Sequence, residues 1–390
     1  MLSLMSPKPS PSLLWMHFGF ILTGMGTVLL GPILPLLAKQ WALTDSHLGL
    51  LIASQMLGAF LGGITTSRNL RRALFVGCLC AFAGYLNLAL SVARPSGMFN
   101  GCVSLAIAGY GLGQLITAIN LVAGRRATTN RGSALSLLNF SWALGAVLWT
   151  FFIATVALRF PLSNVLTALS IAFTLLAIPR IIEFFRHTAD EPAAPAPAAT
   201  STGLPIKIFV YFATLLIIYG GLETSLSAWL TTYSLRYGNH SLAISIYSTA
   251  IFWIALTSGR AIASAALLRI AEKTLLRLTL LVAVIATSAL ALSHSAIAIA
   301  SCAAVIGLAL APWFPITFSL LVGHQPKPSQ AGTVIAVSGL GAALLPWLMG
   351  ITSTHSGSLQ IALTLPLAAG IALLALSFLT PSPRTKIASV

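Results

Sequence analysis

The sequence predicts an all-α membrane protein with twelve transmembrane helices arranged as two six-helix bundles. Of its 390 residues, 57% are hydrophobic and 7% are charged, and the mean hydropathy is +0.94. A soluble domain carries about 25% charged residues, so the apolar surface of this chain requires lipid to cover it. A spanning helix needs about 20 apolar residues, which leaves room for about twelve crossings.

Apolar runs between clusters of charged residues define the helices in order along the chain. Each run is long enough to cross a hydrocarbon core of about 30 Å. The predicted spans are 12–38, 46–66, 72–93, 98–123, 132–157, 161–184, 205–234, 241–268, 274–293, 295–323, 329–352 and 357–380.

The basic residues support this order of spans. The chain has 21 Lys and Arg against six Asp and Glu, a net charge of +15. The loops on one side hold only Lys39, Arg94, Arg159 and Arg236, and all other basic residues except Arg260 fall on the opposite side. Cytoplasmic loops collect Lys and Arg, so both termini are predicted to be cytoplasmic in a multi-pass inner-membrane protein. The positive charge thus reports topology with the lipid bilayer as partner, and no nucleic acid is expected.

One hydrophilic segment divides the chain. Residues 187–204 are rich in Pro and Ala, a composition typical of a flexible linker. The sequence therefore predicts an N-terminal six-helix bundle over 1–186, a cytoplasmic linker over 187–204 and a C-terminal six-helix bundle over 205–390. We expect a functional monomer.

The two predicted bundles carry similar patterns. Leu144-Gly145-Ala146 in the fifth span recurs as Leu340-Gly341-Ala342 in the eleventh, and Gly109 is matched by Gly307. Small residues at such positions let helices approach closely. Together the matches indicate a six-plus-six transporter with parallel repeats.

With these features the sequence resembles the major facilitator superfamily over nearly its whole length. Four stretches are similar to the fucose/galactose/glucose symporter branch and sodium-dependent glucose transporter-like proteins: GPILPLL (31–37), YGGLETSLSAWLTTY (219–233), GLALAPWFPITF (307–318) and GLGAALLPWLMG (339–350). The resemblance implies alternating access, a small neutral solute such as a sugar, and symport with H⁺ or Na⁺.

The sequence also departs from patterns of the superfamily. Residues 62–72 lack the acid usual between the second and third spans, and the first span lacks the Asp of the fucose symporter. The fifth span lacks the Gly-Pro-x-x-Gly-Gly pattern of drug antiporters. That last departure disfavours efflux of hydrophobic or cationic compounds, which stays open as an alternative.

Glu223 is the one carboxylate that falls in the interior of a predicted span, away from its ends. A charge at membrane depth costs about 2.5–3.5 kcal/mol on insertion scales, which makes it a candidate functional group. Helical spacing places Tyr219, Glu223 and Ser227 on one face. Gly220-Gly221 is expected to loosen this helix. Glu223 could bind sugar hydroxyls, bind the coupling cation, or form a structural ion pair with Arg260.

The remaining acids and Arg260 have more ordinary interpretations. Asp45, at the start of the second span, is interpreted as a helix cap. Four others are expected in helix ends, the linker or loops: Glu183, Asp190, Glu191 and Glu272. Arg260 is predicted near mid-membrane, where it could contact the solute, take part in coupling, or extend toward the cytoplasm.

Uncharged polar and aromatic side chains complete the candidate solute site. Amides offer donors and acceptors to polyhydroxy ligands, and indole rings offer an apolar face to a sugar ring. The substrate-binding candidates are Gln55, Gln114, Asn139, Trp142, Tyr219, Glu223, Ser227 and Trp313, with Glu223 and Arg260 for coupling. Hydrogen bonding between helices and membrane-interface Trp residues are the structural alternatives.

The sequence contains no catalytic constellation. A phosphate-binding Walker loop, paired acids, Cys-His dyads and zinc-ligand spacings are all absent from it. We therefore expect no enzyme activity, no metal site and no cofactor beyond a coupling H⁺ or Na⁺. A non-transporting membrane sensor of the same fold is a further alternative.

Overall fold

The computed structural model describes residues 12–66, 69–94, 97–126, 131–155, 159–186 and 203–381. Its regular elements are all α-helices in the described part of the chain. They are α1 (Leu13–Thr27), α2 (Leu30–Trp41), α3 (Asp45–Ile64), α4 (Leu70–Val92), α5 (Met98–Arg126), α6 (Arg131–Thr155), α7 (Leu162–Arg186), α8 (Ile206–Tyr237), α9 (Leu242–Ala266), α10 (Glu272–Ala291), α11 (Ala296–Leu310), α12 (Trp313–Gly323), α13 (Pro328–Ala336), α14 (Ser338–Ser356), α15 (Leu359–Ala362) and α16 (Thr364–Ser377).

The predicted all-α transmembrane fold is confirmed. Eleven segments of the described chain are long and apolar enough to span a membrane, and the pair α1–α2, bent by 41°, brings the number to twelve. Three further predicted spans are each divided into two helices: α11–α12, α13–α14 and α15–α16. The linker predicted over 187–204 lies outside the described residues apart from Gly203 and Leu204.

The bend between α1 and α2 is held by side chains from other helices. The Gln55 amide donates to the carbonyl oxygens of Gly26 at 2.7 Å and Thr27 at 3.2 Å. The Trp149 indole donates to the Leu29 carbonyl oxygen at 3.2 Å. Carbonyls freed by a helix break need partners where water is absent, and these donors provide them.

The repeated glycines occupy equivalent crossings in the two bundles. Gly145 of α6 packs on the carbonyl of Ile21 in α1, and Gly341 of α14 packs on the carbonyl of Ile217 in α8. The chain interval between glycine and partner is the same in both contacts. A Cβ atom at either glycine would overlap the facing carbonyl.

The Gly220-Gly221 pair does not loosen its helix, contrary to the sequence expectation. α8 is continuous from Ile206 to Tyr237. Both glycines instead lie against α14, Gly220 on the carbonyl of Ser338 and Gly221 on that of Gly341. Close packing, rather than a break, explains them.

The two bundles contact each other through α3 with α14, α6 with α9, and α2 with α8. We call the end of the molecule that carries Asp45 the Asp45 end, and the opposite end, with Arg186 and Gly203, the linker end. Gly31 of α2 packs against Ser227 of α8 between the bundles. Ser227, four residues after Glu223 on α8, therefore lies where the two halves meet.

Candidate functional site

Glu223 and Tyr219 form the centre of the site, as their spacing on one helix face predicts. The Tyr219 hydroxyl donates to Glu223 Oε2 and also lies 3.3 Å from the carbonyl oxygen of Leu310. Tyr219 is buried, whereas Glu223 is partly exposed. The carboxylate thus accepts a hydrogen bond from a phenol, on a residue that is not fully enclosed.

Trp313 extends this cluster from the break between α11 and α12. Its indole ring stacks on Tyr219 with centroids 4.4 Å apart and planes 9° from parallel. Pro312, which has no N–H, separates the two helices. Trp313 is 1% exposed. Its ring packs on Tyr219 and is not accessible to a solute in this arrangement.

Arg260 lies near Glu223 without binding it. The guanidinium is close enough to interact electrostatically with the carboxylate. Among the described residues the ion pair that forms joins Arg236 to Asp45, and Glu223 with Arg260 does not form one. Arg260 Nε is buried and has no hydrogen-bond partner in that part of the chain. The two charges are therefore separate groups of one site.

Ser227 is buried one turn beyond Glu223. Its hydroxyl donates to the carbonyl oxygen of Thr224 in its own helix at 3.3 Å. Its backbone, which packs against Gly31 of the other bundle, is the part that contacts another helix.

The amides predicted in the N-terminal half do not meet this cluster. Gln55 is fully buried and engaged at the α1–α2 bend. Gln114 donates to Tyr110 Oη at 3.1 Å and to Thr65 Oγ1 at 3.3 Å, next to the linker end of α3. The side chain of Asn139 is exposed and bonded to its own helix at Leu135.

Trp142, in contrast, lies between the bundles. Its ring packs edge-on against Trp253 of α9 with centroids 5.5 Å apart. Trp142 is partly buried and Trp253 is 3% exposed. Sequence reasoning did not select Trp253, because a Trp in an apolar span carries no spacing signal of its own.

A second inter-bundle contact was misinterpreted from the sequence. Thr44, rather than Asp45, is the N-cap residue of α3. The Asp45 carboxylate is 8% exposed and accepts two hydrogen bonds from Arg236 of α8, at 2.5 and 2.6 Å, and one from Ser353 of α14. Its partners are far away in sequence, so the local Thr-Asp-Ser pattern suggested only a cap.

This contact closes the Asp45 end. The backbone N–H of Ser46 also donates to Thr354 Oγ1 at 2.8 Å. We call the group formed by Asp45, Ser46, Arg236, Ser353 and Thr354 the Asp45 clasp. It joins the start of α3 to α8 and α14 of the other half, so the two bundles are tied together at this end.

Comparison with known proteins defines the class of this molecule. Residues 16–338 match the Major Facilitator Superfamily, so the chain belongs to this family of multi-pass membrane transporters and is a transport protein rather than an enzyme. No curated protein sequence matches the chain significantly.

Solved transporter structures share the fold at low sequence identity. The xylose transporter XylE from E. coli, in a partially occluded inward open conformation, is similar with a TM-score of 0.76 and 16% identity, covering 96% of this chain and 98% of that one. A bacterial homologue of the human lysosomal transporter Spinster has a TM-score of 0.73 and 12% identity, with 94% and 96% covered. The E. coli fucose:proton symporter FucP has a TM-score of 0.61 and 16% identity, with 95% and 98% covered. At these identities the likeness establishes the fold.

Proposed function

We propose that the protein is a secondary active transporter that moves a small neutral polar solute, a sugar, by alternating access with symport of H⁺ or Na⁺. The observation that carries the proposal is the Tyr219–Glu223 pair, placed beside the break between α11 and α12. Transporters bind solute and ion near mid-membrane beside interrupted helices. The xylose and fucose symporters named above support the sugar as solute class.

Glu223 is the proposed coupling residue. It is a partly exposed carboxylate inside a spanning helix, where an acid is retained at a cost of a few kcal/mol. The Tyr219 hydroxyl stabilises its charged form, and Arg260 lies within electrostatic range of it. Binding and release of one cation at this carboxylate would change the charge of the site once per transport cycle.

The proposed protein is an inner-membrane monomer with both termini in the cytoplasm. The distribution of basic residues supports the position of the termini. In that orientation the linker end faces the cytoplasm. The Asp45 clasp then joins the two bundles at the outer end.

The test is uptake into proteoliposomes under an imposed H⁺ or Na⁺ gradient, with D-xylose, L-fucose and D-glucose as probes. We expect accumulation by the wild type under one gradient and none by Glu223→Gln, which keeps the shape of the side chain without the charge. Equal accumulation by both proteins would exclude Glu223 as the coupling group.

The two alternatives give different results in the same vesicles. Efflux would show as gradient-driven movement of lipophilic cations instead of sugars. A membrane sensor of this fold would move neither class of compound, although ligands could still raise its melting temperature.

A further inference from the structure

Helix α9 presents two N–H donors that lack a hydrogen-bond partner among the residues the structure describes, Trp253 Nε1 and Arg260 Nε. The two residues are seven positions apart and thus share one face of the helix. Buried polar groups in folded proteins are almost always hydrogen-bonded. Two unpaired donors on one face, next to the central carboxylate, therefore point to a ligand that supplies the acceptors.

The register of α8 and α9 fixes the height of these donors. Thr231 and Thr249 share a hydrogen bond of 2.7 Å, and Ser248 donates to Ser234 at 3.1 Å. From the level of the Thr231–Thr249 bond, at 1.5 Å per residue, Trp253 lies about 6 Å from the height of Glu223 toward the Asp45 end. Arg260 lies about 4.5 Å on the other side of Glu223. The donors thus bracket the carboxylate.

The opposite bundle contributes Trp142 at the height of Trp253. The two rings touch edge-on, with 74° between their planes, so they do not stack face to face. Trp142 remains partly exposed. In the N-terminal half it is the predicted solute-binding residue that lies at the boundary between the bundles.

We propose that Trp253 is a solute-binding residue that determines specificity: its indole N–H donates to an oxygen of the solute while the solute ring lies against Trp142. The proposal rests on the function proposed above and adds the solute class, a cyclic polyhydroxy compound with an acceptor oxygen directed at α9. An indole N–H is a donor only, so a hydrophobic cation without acceptors cannot use it.

The pair also connects binding to motion. In the present arrangement Trp253 Nε1 is buried without a partner among the described residues, and the Trp253 ring packs against Trp142 of the other bundle. Separation of the two rings lets a solute oxygen reach the donor. The solute therefore favours the state in which α6 and α9 are apart at this height.

The experiment compares Trp253→Phe with Trp41→Phe in nanodiscs by calorimetric titration of D-xylose, L-fucose and D-glucose. Trp41 is the matched control, because its indole N–H is also buried and unpaired among the described residues but lies at the end of α2 against Gly97 and Gly101. We expect Trp253→Phe to weaken binding of the preferred sugar about five- to tenfold, the effect of one hydrogen bond. Trp41→Phe should leave it unchanged.

Monodeoxy analogues of the same sugar locate the bond. For the wild type, removal of one particular hydroxyl should weaken binding to the same degree as Trp253→Phe. The variant should not distinguish that analogue from the parent sugar, because the donor is already missing.

Each outcome decides the proposal. Unchanged affinity in a folded Trp253→Phe protein would overturn the role of Trp253 and leave the transport function standing. A wild type that binds none of the three sugars would overturn both. If Trp253→Phe does not fold, Trp142→Ala, which removes the ring face, is titrated instead, and weaker sugar binding supports the pair while unchanged binding refutes it.

Discussion

The two bundles share their packing and differ in their polar chemistry. The chain interval that relates Gly145 to Gly341 also relates Thr23 and Thr27 of α1 to Tyr219 and Glu223 of α8. In α1 the Thr27 hydroxyl donates to the Thr23 carbonyl oxygen at 2.7 Å. In α8 the matching positions hold the phenol and the carboxylate of the site.

The helix breaks are also placed differently. The N-terminal half interrupts its first span, between α1 and α2, where Gln55 and Trp149 cover the freed carbonyls. The C-terminal half divides its fourth, fifth and sixth spans, and at the first of these breaks, between α11 and α12, the Tyr219 hydroxyl lies near the Leu310 carbonyl. The close backbone crossings are thus alike in the two halves. The polar groups differ, because the phenol and the carboxylate of the site occur at the matching positions of the C-terminal half.

The largest expected effect concerns the glycine crossings that the two bundles share. Gly341→Val and Gly145→Val should each prevent accumulation of folded protein, since a side chain would overlap the facing carbonyl of Ile217 or Ile21. The yield of monodisperse protein in gel filtration measures this. Gly332→Ala is the control, because no atom lies within 4 Å of its added Cβ and the helix gains about 1 kcal/mol in propensity. A normal yield of Gly341→Val would refute the close crossing.

The next largest effect concerns the Tyr219–Glu223 pair of the C-terminal half. We expect that moving the carboxylate to the equivalent position, in the double variant Glu223→Gln with Thr27→Glu, restores no gradient-driven uptake. Thr27 has a Thr rather than a phenol one turn away, so the new acid lacks the donor that Tyr219 provides. Uptake in proteoliposomes is the measurement, with Thr27→Glu alone as the control for folding. Recovery of accumulation would mean that the halves are interchangeable for coupling.

A smaller effect is expected where the halves are tied together. Asp45→Asn and Arg236→Gln should each lower the stability of the closed form by about 1–2 kcal/mol. Hydrogen bonds to charged groups contribute about 1.5–3 kcal/mol. The value expected here is at the low end, because the Arg236 side chain is 40% exposed and solvent screens its charge. A double-mutant cycle on thermal unfolding measures the coupling. The matched control is Arg94→Gln, another basic residue at this end. Strictly additive effects would mean that the pair contributes nothing to closure.

The smallest expected effect separates two amides of the N-terminal half. Gln114→Ala removes a buried side chain bonded to Tyr110 and Thr65, whereas Asn139→Ala removes an exposed one bonded to its own helix. We expect a loss of about 1 kcal/mol in stability for Gln114→Ala and within about 0.5 kcal/mol of no change for Asn139→Ala. Thermal unfolding compares them. Sugar titration of both variants then shows whether either amide also contacts the solute.

The fold was largely predictable because its signals are local. A run of apolar residues bounded by charges specifies a spanning helix regardless of its neighbours. The same reasoning identifies Glu223 as the one acid in the interior of a span and places Tyr219 beside it, since both lie on one helix face. The glycine repeat was visible for a similar reason, as identical short motifs recur in each half.

Contacts between distant segments were beyond that reasoning. The local Thr-Asp-Ser pattern predicts a cap at Asp45, because its partners Arg236 and Ser353 are remote in sequence. The Gly220-Gly221 pair predicts a loosened helix, because composition does not reveal that α14 packs there. The position of Gln55 at the α1–α2 bend likewise depends on a break that a continuous apolar run conceals.

The bend between α1 and α2 divides one span between two bodies. α1 packs against α6 within its own bundle, while α2 packs against α8 of the other bundle. If the bundles separate at the Asp45 end, either α2 loses its contact with α8 or the first span bends further at residues 28 and 29. The hydrogen bonds from Gln55 and Trp149 to Gly26, Thr27 and Leu29 fix the backbone on both sides of this point, so two buried, uncharged side chains set where the first span would bend.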